Sequence, residues 1–206
     1  KNIKIIDLSA DFRLKDINIW EEWYGSQHRA EELLSESVYG LTELNLNKIK
    51  SARLIAVPGC YPTSSLLGVL PLLDSELEIE SIIIDAKSGI SGAGRKTVKN
   101  NLSKEIKDNF RAYGLEGHRH LPEIKENLEL VSGYPINLNF LPHLIPTLRG
   151  IYSTIYIQIK ELKVLDIPDL YDSFYKDSPN VSIMKPGEVP DIKSIANTNN
   201  CHISVN

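Results

Sequence analysis

Two stretches of this sequence carry side chains able to do covalent and proton-transfer chemistry. The first, Val57-Pro58-Gly59-Cys60-Tyr61-Pro62-Thr63, places a thiol where an apolar run ends and a helix begins. The second, Gly117-His118-Arg119-His120-Leu121-Pro122-Glu123-Ile124, gathers two imidazoles, a guanidinium and a carboxylate. A thiol at a helix N-terminus feels the positive end of the helix dipole, which favours the nucleophilic thiolate. The other reading of a lone cysteine is a small apolar side chain packed in a core. Pro122 fits the first turn of a helix running to about Val131, so His120 falls near the N-cap and Glu123 can reach back to it. A carboxylate that accepts from one imidazole nitrogen fixes the tautomer and frees the other nitrogen for chemistry. That favours His120 as the general acid/base, with His118 as the alternative or as a residue orienting substrate. Arg119, in an extended stretch, is a candidate anion clamp. A solvated loop is the other reading of these three residues. A metal site is not indicated, because H-x-H lacks further ligands at fixed spacing.

These side chains need elements to hold them. Leu54 to Val57 has the length and composition of a strand, Pro58-Gly59 punctuates it, and Thr63 to Leu73 continues as an apolar helix. Lys4 to Asp7 is a plausible parallel strand, followed by the polar loop Ser9 to Arg13, where ligands bind in open α/β sheets. Arg13 is suited to grip a phosphate or carboxylate bidentately, or to pair with Asp11 or Asp16 on the surface. Ser81 to Ala86 reads as a strand buried on both faces. It leads into Ser88-Gly89-Ile90-Ser91-Gly92-Ala93-Gly94-Arg95, whose glycines run in the reverse of the usual dinucleotide fingerprint. Trp20 to Leu34 has helical punctuation, with His28 structural. Tyr39 to Glu43 reads as a turn into a short helix over Leu44 to Ile49.

Leu102 to Phe110 reads as a short polar helix or lid. Ile136 to Leu141 alternates as a strand, Pro142 to Pro146 crosses over, and Ile151 to Ile159 is the clearest strand, with one apolar face. His143 and Arg149, between these strands, either reach the site or stabilise a turn. Asp166 caps an amphipathic helix over Ile167 to Tyr175. Val181 to Met184 and His202 to Val205 read as short strands, and Asn197 to Asn200 as a turn. The order gives an α+β chain with a mixed or largely antiparallel sheet.

Five stretches together resemble N-acetyl-γ-glutamyl-phosphate reductases, NADPH-dependent enzymes of arginine biosynthesis. They are I-D-L-S-A-D-F-R-L (Ile6 to Leu14), P-G-C-Y-P-T (Pro58 to Thr63), S-G-I-S-G-A-G-R (Ser88 to Arg95), G-H-R-H-L-P-E-I (Gly117 to Ile124) and F-L-P-H-L-I-P-T-L-R-G (Phe140 to Gly150). Ser64 departs from the pattern, which more often has Gly or Ala there. The resemblance implies residues 1–57 as the end of a Rossmann-type dinucleotide-binding unit. It implies residues 58–206 as a catalytic, substrate-binding and dimerisation domain with the glyceraldehyde-3-phosphate-dehydrogenase-like C-terminal fold. The Gly-rich turn expected before residue 1 and the closing segment expected after Asn206 are not in this sequence, so it reads as a fragment. In the implied reaction Cys60 is the nucleophile and His120 the acid/base. Arg13, His118, Arg119 and Glu123 meet the substrate. Ser88, Gly89, Ser91, Gly92 and Gly94 touch the nicotinamide end of NADP(H). The implied partners are a small acyl phosphate, inorganic phosphate and further copies of the chain, as a dimer or tetramer.

Composition narrows the alternatives. A net charge of −4 over 206 residues gives no footprint for nucleic acid or an anionic membrane. No apolar run approaches the ~20 residues of a membrane span. The two cysteines, Cys60 and Cys201, have neither metal-type nor disulfide-type spacing, and a reducing cytoplasm is their simplest home. Two other enzyme readings stay open: an aspartate-semialdehyde dehydrogenase acting on a shorter acyl phosphate, and a cysteine hydrolase using Cys60 with His120. A non-catalytic binding module is a third.

Overall fold

In the computed structural model, which describes residues 3–75, 77–93, 108–161 and 166–206, the strands form three sheets, and one apolar helix packs on the largest of them. The first sheet is parallel and holds β1 (Ile5–Asp7), β2 (Ser37–Tyr39) and β3 (Leu54–Ala56) in the order β1-β3-β2. Between β1 and β2 lies α1 (Ile17–Tyr24), shorter and earlier than the punctuation of Trp20 to Leu34 suggested. Asp16 caps it by accepting from the Asn18 and Ile19 N–H groups, and Gly25 ends it at φ +66°. α2 (Thr42–Ser51) connects β2 to β3. The strand β2 occupies part of what reads locally as a turn, because three residues are too few to show a period.

The helix beginning at Cys60, α3 (Cys60–Leu73), is apolar on nearly every side, as a helix covered all round must be. It carries Pro71 in its interior, which removes the N–H that the Leu67 carbonyl would accept and opens the ladder locally. Two tyrosines of α5 (Ile167–Tyr175) repair the gap. Tyr175 Oη donates to Leu67 O at 2.5 Å and Tyr171 Oη donates to Gly68 O at 2.6 Å. Gly68 itself faces Ile155, whose Cδ1 would stand 2.5 Å from a Cβ there.

The second sheet packs on α3 and α4 (His120–Ser132). Its strands are β4 (Ile79–Ser88), β5 (Arg111–Ala112), β6 (Asn137–Leu144) and β7 (Ile151–Ile159), in the order β5-β6-β4-β7. β4 runs parallel to β6 and antiparallel to β7, so the sheet is mixed and the chain α+β. Ile82, Ile84 and Ala86 of β4 are fully buried against the helices, whereas Ile83 is 46 % exposed. The expectation of burial on both faces fails there, because among the described residues helices cover only one face of this sheet. Pro142, expected to begin a crossover, lies inside β6. β5 pairs only with Leu144 and His143, leaving most of β6 at the sheet edge, where proline is tolerated. The short strands β8 (Val181–Ile183) and β9 (Cys201–Ile203) pair in parallel, with α6 (Ile192–Ile195) between them. Most of the expected helix over Leu102 to Phe110 lies outside the described residues. Among the described residues no helix is long and apolar enough to cross a membrane.

Replacing Tyr175 by Phe should lower stability by about 1–3 kcal/mol, because it strands a buried carbonyl. Pro71→Ala restores the missing N–H, so in a double-mutant cycle read by thermal unfolding the Tyr175→Phe cost should shrink in that background. An equal cost in both backgrounds would show that the hydroxyl is not the repair.

Candidate active site

The sequence places Cys60 as the first residue of α3, after Gly59 in extended conformation. A helix start leaves its first N–H groups without intrahelical acceptors. Pro62 has none, and Thr63 N–H already donates to Gly59 O at 2.9 Å. The free donors are therefore those of Cys60 and Tyr61, and both act on the Cys60 sulfur, lowering its pKa. Burial of the sulfur nevertheless outweighs these donors and the Arg13 guanidinium, and pushes the thiol above its usual range. The residue as a whole remains exposed at the surface. The dipole argument alone pointed to a resting thiolate; here desolvation wins and the resting form is the thiol.

His120, the first residue of α4, lies against the turn that presents Cys60. A Cβ at Gly59 would stand 2.5 Å from His120 Nε2 and 3.0 Å from Glu123 Oε2, so only glycine admits the ring here. His120 Nδ1 is buried without a hydrogen-bond partner. Burial, then His118 and Arg13, push its pKa down to about 3, so the imidazole is neutral at pH 7. A neutral imidazole beside a neutral thiol is a base waiting for a proton.

Glu123 does not contact His120 as the spacing suggested. It is 1 % exposed, and its Oε1 accepts from Gly59 N–H at 2.7 Å and from Tyr39 Oη at 2.9 Å. Its Oε2 lies 3.6 Å from Arg13 Nη1. Burial raises the Glu123 pKa, while Arg13, Gly59 N–H and the Tyr39 hydroxyl pull it down. Arg13 is likewise turned inward: Nε donates to Val57 O at 2.7 Å and Nη2 to Leu8 O at 3.2 Å. These bonds replace both the open anion clamp and the pairing with Asp11 or Asp16. One helical turn on, Glu126 accepts from Lys15 N–H at 2.8 Å, fastening α4 to the same loop.

His118 is boxed by the rings of Tyr61, Tyr113, Phe140 and His120, at centroid distances of 4.9–5.6 Å. Its Nδ1 accepts from His120 N–H at 3.1 Å, so in the neutral ring the proton sits on Nε2. Burial and Arg119 push its pKa down to about 4. Arg119 is not extended but αR, at the cap of α4, with its guanidinium 5.0 Å above the Tyr24 ring.

The glycine loop is closed rather than open. Gly89 N–H donates to Gly150 O, Ile90 N–H to Thr147 O, Ser91 N–H to Leu148 O and Gly92 N–H to Gly89 O, at 2.9–3.2 Å. Gly89 is required because a Cβ would stand 2.9 Å from Arg149 N. The buried Ser88 donates to Gly89 O at 3.0 Å. Gly94 lies outside the described residues. Tyr39, Tyr61 and Tyr113 were not singled out from sequence. Tyr113 Oη donates to Tyr61 Oη at 3.0 Å, and Tyr61 Oη to His143 O at 3.2 Å. Only Tyr61 had a local signal, being next to Cys60; the others arrive from distant elements.

Residues 60–206 match the profile of the semialdehyde dehydrogenase dimerisation domain. The chain belongs to that family. Of the semialdehyde dehydrogenase fold, an aspartate semialdehyde dehydrogenase II from Vibrio cholerae superposes with a TM-score of 0.67 at 12 % identity, covering 97 % of this chain and 61 % of that one. The aspartate semialdehyde dehydrogenase of Francisella tularensis does so with a TM-score of 0.67 at 14 % identity, over 98 % of this chain and 65 % of that one. In sequence, the chain is similar to the N-acetyl-γ-glutamyl-phosphate reductases of Nitrosospira multiformis, at 48 % identity, and Nitrosomonas eutropha, at 50 %. Each similarity covers 98 % of this chain and 59 % of the relative, so the chain spans about three-fifths of their length.

In this chain Cys60 opens onto a cavity of about 1290 Å³, bounded by α3, β7, the Gly89–Gly92 loop and the C-terminal strands. A raised thiol pKa means a smaller thiolate fraction at any given pH. In a Cys201→Ser background, alkylation of Cys60 by iodoacetamide should therefore keep accelerating above pH 9. A rate plateau near pH 6–7 would reveal a thiolate–imidazolium pair and contradict the neutral resting state.

Proposed function

We propose that residues 1–206 supply the catalytic part of a reductase converting N-acetyl-γ-glutamyl phosphate to N-acetylglutamate 5-semialdehyde. The observation that carries this reading is that His120 Nε2 packs against Gly59, the residue before Cys60, in a turn that Glu123 holds through the Gly59 N–H. In this reading residues 1–57 are the end of a dinucleotide-binding unit, and residues 58–206 bind substrate and a second copy of the chain.

Substrate approach brings an electrophilic carbonyl to Cys60 Sγ. His120 Nε2 takes the thiol proton as the sulfur attacks, and the acyl–oxygen bond to phosphate breaks, leaving a thioester on Cys60. The departing phosphate carries that proton away, so His120 returns to its neutral form. NADPH, when bound, supplies the hydride needed for reduction. The Gly89–Gly92 loop, with its N–H groups turned inward, has no cradle for a phosphate and suits only the uncharged ring end of such a cofactor. The N–H groups of Cys60 and Tyr61 are placed to stabilise the thiohemiacetal oxygen. Collapse frees the aldehyde and the Cys60 thiolate, which regains a proton from solvent through His120. Arg13 and Glu123 hold the turn and do not touch substrate, and His118 orients the helix start that bears His120.

The uncovered face of the second sheet suits the second copy. Ile83, Leu141 and Tyr156 stand 40–60 % exposed there, around the Asp85–Lys87 ion pair, with His143 Nδ1 3.1 Å from Asp85 Oδ1. The family description, a dimerisation domain, agrees with that use of the face.

The full-length protein should reduce NADP⁺ with N-acetylglutamate 5-semialdehyde only when inorganic phosphate is present. Cys60→Ser should abolish this with the fold intact, and His120→Asn should cost about 10²- to 10⁴-fold in rate. Preference for aspartate semialdehyde would transfer the reading to that dehydrogenase, and thioester turnover independent of NADP(H) would make the pair a hydrolase.

A further inference from the structure

One part of the cavity beside Cys60 has no role in the chemistry above. Ser64 lies one helical turn after Cys60, on the same side of α3, about 5–6 Å further along the axis. Its Oγ is 2.8 Å from Ser153 Oγ on β7, and both serines line the cavity that Cys60 opens onto. Two hydroxyls carry two protons, and only one of these lies between the oxygens. The pair therefore presents one donor and several lone pairs to whatever fills the cavity. The same wall carries Leu67, Ile155 and Ile157 together with Thr63 and Thr154, and among its hydroxyls Ser64 and Ser153 are the two bonded to each other across α3 and β7.

Arg149, just ahead of β7, is among the residues that line the same cavity. It is exposed, and among the described residues no carboxylate pairs with it. Arg13, by contrast, bonds the Val57 and Leu8 carbonyls and lies 3.6 Å from Glu123. The backbone on which Arg149 sits is pinned, since Gly89 and Ser91 donate to Gly150 O and Leu148 O. An exposed arginine on a pinned segment, lining a cavity that also holds a nucleophile, is suited to fix an anionic group bidentately.

We propose that Ser64, Ser153 and Arg149 form the subsite for the polar far end of the substrate, a carboxylate with an acylated amine beside it. The inference rests on the acyl-phosphate reading of Cys60 and adds where the rest of the substrate lies. An acyl group bound to Cys60 projects its chain away from the sulfur. In the glutamyl skeleton the carbon bearing the carboxylate and the amide is four bonds from the sulfur of the acyl-enzyme, roughly 5 Å when extended and close to one helical turn. Arg149 binds the carboxylate, and the serine pair bonds the amide. An aspartyl skeleton, one methylene shorter, places those groups short of the serines, so the subsite selects for chain length as well as charge.

Two measurements on the full-length protein test this. The first is calorimetric binding of N-acetylglutamate to the wild type and to Arg149→Gln, Arg149→Lys and Ser64→Ala/Ser153→Ala. Arg149→Gln should weaken binding roughly 10- to 100-fold, Arg149→Lys should recover part of it, and the double serine variant should lose about 3- to 10-fold. The second is turnover of N-acetylglutamate 5-semialdehyde beside butanal, which lacks the polar end. For the first aldehyde the Arg149→Gln loss should fall on KM more than on kcat; for butanal KM should not move. Unchanged N-acetylglutamate binding in Arg149→Gln, or equal effects on both aldehydes, would overturn the subsite. Because binding is read without catalysis, absence of turnover in the wild type would sink the reductase reading while leaving the subsite to be judged by calorimetry.

Discussion

The carboxylate of Glu123 is the point on which the site depends. It joins four pieces of chain: the turn before Cys60 through Gly59 N–H, the end of β2 through Tyr39, the loop after β1 through Arg13, and α4, on which it sits. Because it is buried, each of these partners is needed. Removing one member of such a buried ion pair typically costs 3–5 kcal/mol, since a charge is left without compensation. Glu126, a turn further along α4, repeats the attachment through the backbone of Lys15. The two glutamates bind the parallel sheet to the helix that carries His120, and so fix the position of the imidazole relative to the thiol.

The same burial that makes Glu123 a strong organiser decides the charge state of the reactive pair. Taking charge out of water disfavours the ionised form of every group nearby, so the thiol is raised and both imidazoles are lowered. Arg13 works against the first effect and adds to the second. The outcome is a site that holds its proton on sulfur until an electrophile arrives. Such a thiol is also less open to oxidation than a resting thiolate, because reactivity follows thiolate character.

Much of this was legible in the sequence, and the gaps have physical reasons. Cys60 at a helix start, the helix after Pro122 and the helix capped by Asp166 all follow from local chemistry that the structure repeats. Glu123 was singled out for the right reason, a carboxylate one turn from His120, but attached to the wrong partner, because its true partners are Gly59, Tyr39 and Arg13, far away in sequence. The Gly-rich loop looked open because glycine permits close approach; what approaches is the backbone of residues 147–150 and not a ligand. Ile83 read as buried because a run of three isoleucines does not reveal that only one face of the sheet is covered. Pro71 inside a helix looks like an error until Tyr171 and Tyr175 arrive from another element.

The most direct test of this organisation is amide hydrogen exchange at Gly59, compared between the wild type and Glu123→Ala under conditions where both remain folded. The Gly59 N–H is donated to a buried carboxylate, so it should be strongly protected in the wild type and should exchange far faster in the variant, while the α3 amides beyond Thr63 keep their protection. Equal protection at Gly59 in both proteins would show that the turn presenting Cys60 is held by something other than Glu123.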